Sequence, residues 1–198
     1  MRTASTVSTA IRAAAALLLA AAHAGCTTAR GADVKNGDIL VPASAHGNPS
    51  SGPVQPIFFK HSLHAGQYKI PCLYCHAYAD RSTVASIPAM STCMNCHKFV
   101  TGSSAENERE ISKLLNYNQK GTSIPWLSVY RLPDHAYFNH KRHVRAGLEC
   151  QSCHGPVQEM DRVYKYSSLQ MGWCVTCHKA NLSNAKFAAS IDCYTCHR

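Results

Sequence analysis

Of the 11 cysteines in this 198-residue chain, all but one stand in pairs with two residues between them, and a histidine follows each pair. The five C-x-x-C-H units, numbered here as haem motifs one to five, comprise Cys72, Cys75 and His76; Cys93, Cys96 and His97; Cys150, Cys153 and His154; Cys174, Cys177 and His178; and Cys193, Cys196 and His197. Two thiols at this spacing can reach the two vinyl groups on one edge of a porphyrin, and the next imidazole then lies under the ring, where it can bind iron. The spacing predicts five covalently attached c-type haems.

Other uses of these cysteines fit the pattern less well. A disulfide framework or a zinc site does not need a histidine directly after every second cysteine. A thioredoxin-like redox pair would use one motif on a strand–helix unit, not five motifs. Haem attachment is therefore the interpretation that accounts for both the cysteines and the histidines.

The remaining histidines are candidates for the second axial ligand of each iron. His61 and His64 in FFKHSLHAG, and His140 and His143 in YFNHKRHVRAG, form two aromatic-x-His-x-x-His pairs that stand just before haem motifs. Residues i and i+3 share one face of a helix, so each pair can reach two irons on one side. We expect His61 and His140 to bind the first haem of their own halves, and His64 and His143 to bind neighbouring haems.

The fifth distal ligand stays open at this point. His135, in LPDHAYF, is the leading candidate, and Met171, in LQMGWC, is the sulfur candidate. A methionine ligand would raise the reduction potential above that of a bis-histidine haem. His46 and Met90 are less favoured candidates, and the fifth iron could also keep an open axial position.

The order of these elements repeats along the chain. Residues 57–98 and 136–179 each contain a histidine pair followed by two motifs, which we interpret as an internal duplication, and the fifth motif is a C-terminal addition. We expect one pentahaem domain over 57–198 with a multihaem cytochrome c fold. Its chain should be mostly irregular, with short α-helices wrapped around the haems and little or no β-structure. One longer helix is predicted over 103–118, with Ser103 and Glu106 as a capping box.

The N-terminus predicts export from the cytoplasm. Residues 1–25 combine a basic start with the apolar stretch 13–22, which is too short to span a bilayer. Ala22-His23-Ala24 fits one cleavage site, whereas Ala24-Gly25-Cys26 resembles a bacterial lipobox. We expect a lipid on Cys26, a flexible tether over 26–56, and a membrane-anchored lipoprotein in the periplasm or cell envelope.

The basic charge has a simple interpretation once haems are included. The formal net charge is +9 and the isoelectric point is about 9.1. Each haem brings two propionates, so much of the lysine and arginine is interpreted as compensation for the cofactors. We predict no nucleic-acid partner.

The motifs also carry a family resemblance. The two histidine pairs resemble those of class III multihaem cytochromes. The segments IPCLYCHAYAD, CMNCHKFV, LPDHAYFNHKRHV, LECQSCHGPVQEM and LQMGWCVTCHK are similar to the pentahaem cytochrome subunit of bacterial alternative complex III, over roughly residues 57–198. This resemblance implies a periplasm-facing haem wire that takes electrons from a quinol-oxidising iron–sulfur and membrane assembly. Two features depart from the family: Cys26 stands where a membrane-spanning helix is usual, and Tyr130 stands where a histidine often precedes LPD.

These observations together predict an electron-transfer relay in a respiratory chain, not an enzyme. Its partners would be redox proteins, including an iron–sulfur and membrane complex that oxidises quinol, with the membrane reached through the lipid on Cys26. Two competing hypotheses are a multihaem reductase with one open iron and a subunit of an extracellular haem filament.

Overall fold

A computed structural model describes residues 34–36, 39–41, 47–184, 186 and 189–198. The predicted export signal, Cys26, His46 and most of the predicted tether lie outside these residues. No helix in the described part of the chain is both long enough and apolar enough to cross a membrane.

Short helices separated by irregular chain make up the described structure. The helices are α1 (Cys72–Cys75), α2 (Met90–His97), α3 (Ala105–Gln119), α4 (His140–Arg145), α5 (Gln151–His154), α6 (Met171–Ala180) and α7 (Cys193–Cys196). A π-helix spans Ser62–Gln67, and 3-10 turns span Pro49–Ser51 and Val157–Glu159. Strands β1 (Val34–Asn36) and β2 (Ile39–Val41) pair antiparallel. The predicted fold class, short helices in irregular chain with little β-structure, is confirmed.

Each haem motif lies on a helical turn. Helices α1, α2, α5, α6 and α7 carry motifs one to five in that order, with Cys150 as the residue that caps α5. Because residues three apart lie on one face of a helix, this turn holds the two thiols of a motif on the same side. The local sequence therefore positions both attachment points of a porphyrin before any tertiary contact is made.

Helix α3 is the one long helix of the described chain, and its N-cap lies one residue later than predicted. Ser104, not Ser103, is the N-cap: its backbone is extended, and its hydroxyl accepts a hydrogen bond from the Asn107 amide at 3.2 Å. Leu114 is the buried residue of this helix. Glu110 accepts a hydrogen bond from the Phe58 amide at 2.8 Å, which ties the helix to the chain that leads into the first histidine pair.

The last part of the predicted flexible tether is held against the domain. The Gly47 amide donates to the Tyr166 carbonyl at 2.9 Å, and the Gln55 side chain makes two hydrogen bonds with the backbone of Leu127. A side chain at Gly52 would run into the Val163 carbonyl. Residues 47–56 thus follow the surface of the pentahaem segment, because small residues allow two backbones to approach closely. A composition rich in Gly, Ser and Pro did not distinguish this from a free linker.

Candidate functional site

Four of the five motif histidines have one ring nitrogen fixed by a backbone carbonyl. Nδ1 lies 2.8 Å from the Ser86 oxygen for His76, 3.2 Å from Val100 for His97, 2.5 Å from Ser190 for His178 and 2.9 Å from His135 for His197. A carbonyl can only accept, so Nδ1 carries the proton and the lone pair of Nε2 is left free. This is the tautomer and orientation that an iron-binding imidazole requires.

The motif histidine of α5 is held by a tyrosine. The Tyr130 ring packs edge-on against His154 with ring centres 4.4 Å apart. The Tyr130 hydroxyl lies 3.1 Å from the Tyr164 carbonyl and 3.4 Å from the His154 carbonyl, and it accepts from the Tyr166 amide at 3.1 Å. Tyr130 therefore fixes both the ring and the backbone of His154. Burial, and then the nearby His140, lower the pKa of His154 to about 4, which keeps its ring neutral.

The aromatic residue of each histidine pair separates the two imidazoles in the same way. Phe59 stands edge-on to His61, with ring centres 4.9 Å apart, and stacks on His64 at 4.3 Å. The second pair repeats this with Phe138, at 4.8 Å from His140 and 4.4 Å from His143. One phenyl ring thus holds two imidazoles in different orientations. This contact gives the aromatic-x-His-x-x-His pattern a physical reason that the sequence alone did not supply.

Three of the histidines outside the motifs also have fixed tautomers. Nδ1 of His64 lies 3.0 Å from the Lys60 carbonyl, and Nδ1 of His143 lies 2.9 Å from that of Asn139. His140 reaches further along the chain, to the Thr83 carbonyl at 3.0 Å. Each contact leaves Nε2 free. Burial is the first cause that lowers the pKa of both His64 and His143, so these rings stay neutral.

Each of these histidines faces one motif histidine. The ring centres are 6.1 Å apart for His64 and His97, 6.4 Å for His140 and His154, 6.1 Å for His143 and His178, and 5.7 Å for His135 and His197. His61 lies near His76; burial, and then His76, lower the pKa of His61 to about 4. The structure therefore brings four pairs of imidazoles together at closely similar distances, and it places His61 near the remaining motif histidine.

These distances match one iron between two imidazoles. An imidazole nitrogen lies about 2.0 Å from a transition metal that it binds, and the ring centre lies about 1.1 Å beyond it, so two axial rings have centres roughly 6 Å apart. Free imidazoles without a shared metal have no reason to meet at this spacing in four separate places.

The two leading candidates for the fifth distal position differ in exposure. His135 stacks near-parallel to His197, with 26° between the rings. Met171, at the start of α6, is 68% exposed. The geometry favours His135, although ligation itself remains a prediction.

The cysteines are arranged for attachment to a cofactor and not for a closed metal site. The ten motif cysteines form no disulfide within the described chain. Among the described residues, no three His, Cys, Asp or Glu side chains converge as a structural zinc ion would require. The thiols stand beside those of neighbouring motifs, for example Cys75 near Cys93.

Two further features of the described chain fit a buried haem. Its buried apolar side chains are few, namely Ile57, Ala79, Leu114 and Met160. Porphyrins between the helices would supply the apolar volume that such a chain lacks. Moreover, the buried Nε1 of Trp173 has no hydrogen-bond partner among the described residues. A buried donor of this kind needs an acceptor, and a haem propionate next to motif four would provide one.

Some positioning groups could not be found by sequence reasoning. The carbonyls of Thr83, Ser86 and Ser190 orient histidines, but every residue has a carbonyl, so composition holds no signal for them. Tyr130 did leave a signal, because it departs from the family pattern just before LPD.

Comparison with known proteins agrees with this site. Residues 136–198, which include His140, His143 and motifs three to five, match the family model of cytochrome c7 and related cytochromes c. The chain is also 26% identical, over 164 residues that cover 73% of this chain and 77% of the relative, to the multihaem cytochrome c subunit of menaquinone reductase from Nitratidesulfovibrio vulgaris strain Hildenborough. The described chain has the fold class of a multihaem cytochrome c, and its residues 136–198 are similar to cytochrome c7 and related cytochromes c.

Proposed function

We propose that this protein holds five c-type haems, each with two histidine ligands, and relays electrons between redox partners. The observation that carries this proposal is the set of four imidazole pairs with ring centres 5.7 to 6.4 Å apart. A haem supplies an iron that gains and loses one electron. The chain supplies both axial nitrogens and fixes their orientation, so the coordination shell need not change on electron transfer.

The same pairing argues for a carrier and against an enzyme. A haem that binds substrate needs an open axial position, whereas here each motif histidine faces a second imidazole. His135 is the partner that completes the set, since without it the iron of motif five would have an open side. This arrangement argues against the reductase hypothesis, which depends on an iron with an open axial position.

We propose that one partner is a membrane complex that reacts with a quinone. The relative from Nitratidesulfovibrio vulgaris is a subunit of a menaquinone reductase, and the sequence resembles the cytochrome subunit of alternative complex III, which implies quinol oxidation. These two likenesses agree on a quinone-reacting complex and differ in the direction of electron flow. The direction would be set by the potentials of the partners and not by the cytochrome.

We further propose a periplasmic location with a lipid on Cys26. The export features of residues 1–25 support it, and a lipoprotein with more than one acyl chain binds membranes stably. Cys26→Ala, expressed beside the unchanged chain, should move the cytochrome from the membrane to the soluble periplasmic fraction. A wild-type protein that is already soluble, with an N-terminus before Cys26, would contradict this proposal.

The function is tested with the protein matured in cells that assemble cytochromes c. Intact mass should show five haem additions, and fewer than four haems or bound zinc would contradict the proposal. The reduced protein should bind no carbon monoxide. With the membrane complex present, a menaquinol analogue should reduce the five oxidised haems, or a menaquinone analogue should oxidise the five reduced haems. If one wild-type haem binds carbon monoxide, the reductase hypothesis becomes the better explanation.

A further inference from the structure

The two halves of the domain exchange contacts at equivalent positions. The Ser62 amide donates to the Met160 carbonyl at 3.1 Å, and the Lys141 amide donates to the Ser82 carbonyl at 3.0 Å. Ser62 and Lys141 each follow the first histidine of a pair. Met160 and Ser82 each stand six positions after the histidine of a motif, namely His154 of motif three and His76 of motif one. The histidine pair of each half therefore docks behind the first motif of the other half.

A second contact repeats the exchange. A side chain at Gly66 would run into the Gln158 carbonyl, so the π-helix backbone lies directly on that oxygen. At the equivalent position in the other half, Arg145 Nε donates to the Asp80 carbonyl at 2.8 Å. Gly66 and Arg145 are each the fifth residue after the first histidine of a pair. Gln158 and Asp80 are each the fourth residue after a motif histidine. Two independent positions thus obey one local two-fold relation.

This exchange brings motifs one and three together. Cys72 lies near the Cys150 thiol, and His76 lies near the His154 ring. His140 adds a link, because its ring and its amide both bond to Thr83, which follows motif one. The attachment edges of the first and third porphyrins therefore meet at the junction of the halves.

Other contacts connect the remaining motifs. His61 and His64 share one helix, so their irons, in motifs one and two, are neighbours, and Cys75 lies near Cys93 in the same two motifs. His140 and His143 join motifs three and four in the same way, and Cys153 lies near Cys177. Motifs four and five meet at Ser190: its carbonyl lies 2.5 Å from Nδ1 of His178, and its hydroxyl accepts from the Thr195 hydroxyl of motif five at 3.1 Å.

From these contacts we propose that the five haems form one row in the order two, one, three, four, five, with motifs two and five at its ends. The inference rests on the proposed function and goes beyond it, because the spatial order differs from the order of the motifs in the sequence. Electrons then enter or leave at α2 or α7, and every electron that crosses the domain passes the junction between motifs one and three. Partners would dock at the two ends.

Pairs of labelled irons test the order. A distal histidine replaced by glycine opens one iron, which binds nitric oxide in dithionite-reduced protein and becomes paramagnetic, while the other low-spin ferrous haems are diamagnetic. The double variant His61→Gly/His140→Gly labels haems one and three. The matched double variant His64→Gly/His135→Gly also removes two distal histidines, but it labels haems two and five.

We expect strong dipolar broadening of the electron paramagnetic resonance spectrum for haems one and three, and none for haems two and five. The single variants supply the unbroadened spectra. Broadening of the second pair, or equal spectra for both pairs, would overturn the row. Such a result would leave the relay function intact, whereas carbon monoxide binding by the wild type would count against the function and not against the order.

A second measurement avoids the ligands, in case a double variant loses haem. Ser82→Cys/Lys141→Cys and Ser62→Cys/Met160→Cys place thiols where the exchanged backbones lie within hydrogen-bond distance, close enough for disulfides. Mild oxidation of the holoprotein should form both bonds, seen as linked peptides without reductant. If neither disulfide forms while all five haems are attached, the contacts between the two halves are absent in solution. The proposed order of the haems is then wrong.

Discussion

At the scale of single residues, the chain controls its histidines through Nδ1. Hydrogen bonds to carbonyls at 2.5 to 3.2 Å set the tautomer and limit rotation of the rings. Some of those carbonyls lie within one turn of the histidine, such as Asn139 for His143, and others come from loops ten or more residues away, such as Ser86 for His76 and Ser190 for His178. The angle between the two rings of a pair therefore follows from the fold.

These angles predict the spectra of the oxidised protein. The rings of His140 and His154 are near-parallel, at 9°, whereas those of His64 and His97 are 58° apart. Parallel rings lift the degeneracy of the iron d orbitals more strongly, so among haems two to five, haem three should give the most rhombic low-spin signal and haem two the most anisotropic. His64→Gly should remove the most anisotropic signal from the electron paramagnetic resonance spectrum. If His140→Gly removes it instead, the ring orientations are wrong.

The fifth distal ligand can be tested against the methionine candidate. His135→Gly should open one iron, seen as a high-spin band and as binding of one carbon monoxide per reduced protein. Met171→Ala should leave all five haems low-spin, since Met171 is largely exposed. The opposite result would identify Met171 as the ligand, and its haem should then have one of the higher potentials.

Tyr130 offers a test of a positioning residue. Tyr130→Phe keeps the ring against His154 but removes the hydroxyl from three backbone groups. Because this hydroxyl is half-buried, we expect a loss of about 1–2 kcal/mol in the free energy of unfolding, measured by denaturant titration. The spectrum of haem three should stay low-spin in Tyr130→Phe and broaden in Tyr130→Ala, which also removes the ring. Equal spectra in both variants would show that the ring has no positioning role.

At the scale of elements, each histidine pair is presented by a single short helix. Helix α4 begins after Asn139, whose side chain accepts from the Arg142 amide at 3.3 Å. A helix of six residues cannot persist alone in water, so its cap and its tertiary contacts decide its stability. The same holds for the one-turn helices that carry the motifs.

Removal of two comparable caps should separate local stability from ligand placement. Asn139→Ala and Ser104→Ala each delete an N-cap hydrogen bond and should cost about 1 kcal/mol in the free energy of unfolding. Only Asn139→Ala should also shift the potentials of haems three and four, because α4 carries His140 and His143. Spectroelectrochemistry of both variants checks this. An equal shift of the potentials in Ser104→Ala would mean that they respond to a general loss of stability and not to the placement of His140 and His143.

Glu110 should make the stability depend on pH. Burial raises the pKa of this carboxyl, but the hydrogen bonds from Lys113 at 2.7 Å and from the Phe58 amide outweigh it and hold the pKa below the usual range. Because this pKa is lower in the folded protein, ionised Glu110 stabilises the fold at pH values above the ordinary glutamate pKa of about 4.3. The stabilisation is lost as the pH falls through the pKa of Glu110 in the folded protein.

Glu110→Ala should therefore lower the free energy of unfolding by about 1–3 kcal/mol at pH 7. The difference from wild type should shrink below about pH 4. Glu108→Ala, on an exposed face of the same helix, is the control and should have little effect at either pH. A deficit in Glu110→Ala that does not change with pH would contradict an ionic role.

At the scale of the whole molecule, the protein part has too little apolar core to fold by itself. The buried apolar residues of the described chain are few and scattered, and most of its helices are too short to be stable alone. Expressed without haem attachment, the chain should show no cooperative unfolding transition by circular dichroism, whereas the holoprotein should. A cooperative transition in the apoprotein would show that the chain folds without porphyrins.

Much of this protein could be predicted from its sequence because covalent chemistry is local. The C-x-x-C-H spacing specifies attachment points within one helical turn, and i, i+3 histidines share a face whatever surrounds them. The fold class followed from the same motifs, and it is confirmed. The boundary of α3 was one residue off, since Ser103 and Ser104 are equally good caps and only the extended backbone of Ser104 decides between them.

Only the tertiary structure decided which groups meet. No sequence pattern shows that Ser82 and Met160 receive the histidine-pair helices of opposite halves, because backbone hydrogen bonds carry no residue signature. The placement of His135 beside His197 likewise depends on a tertiary contact of the C-terminal motif. There, the Tyr137 amide donates to the Cys196 carbonyl at 2.8 Å. Ligand types are properties of residues, whereas the order of the haem sites is a property of contacts between segments far apart in the chain.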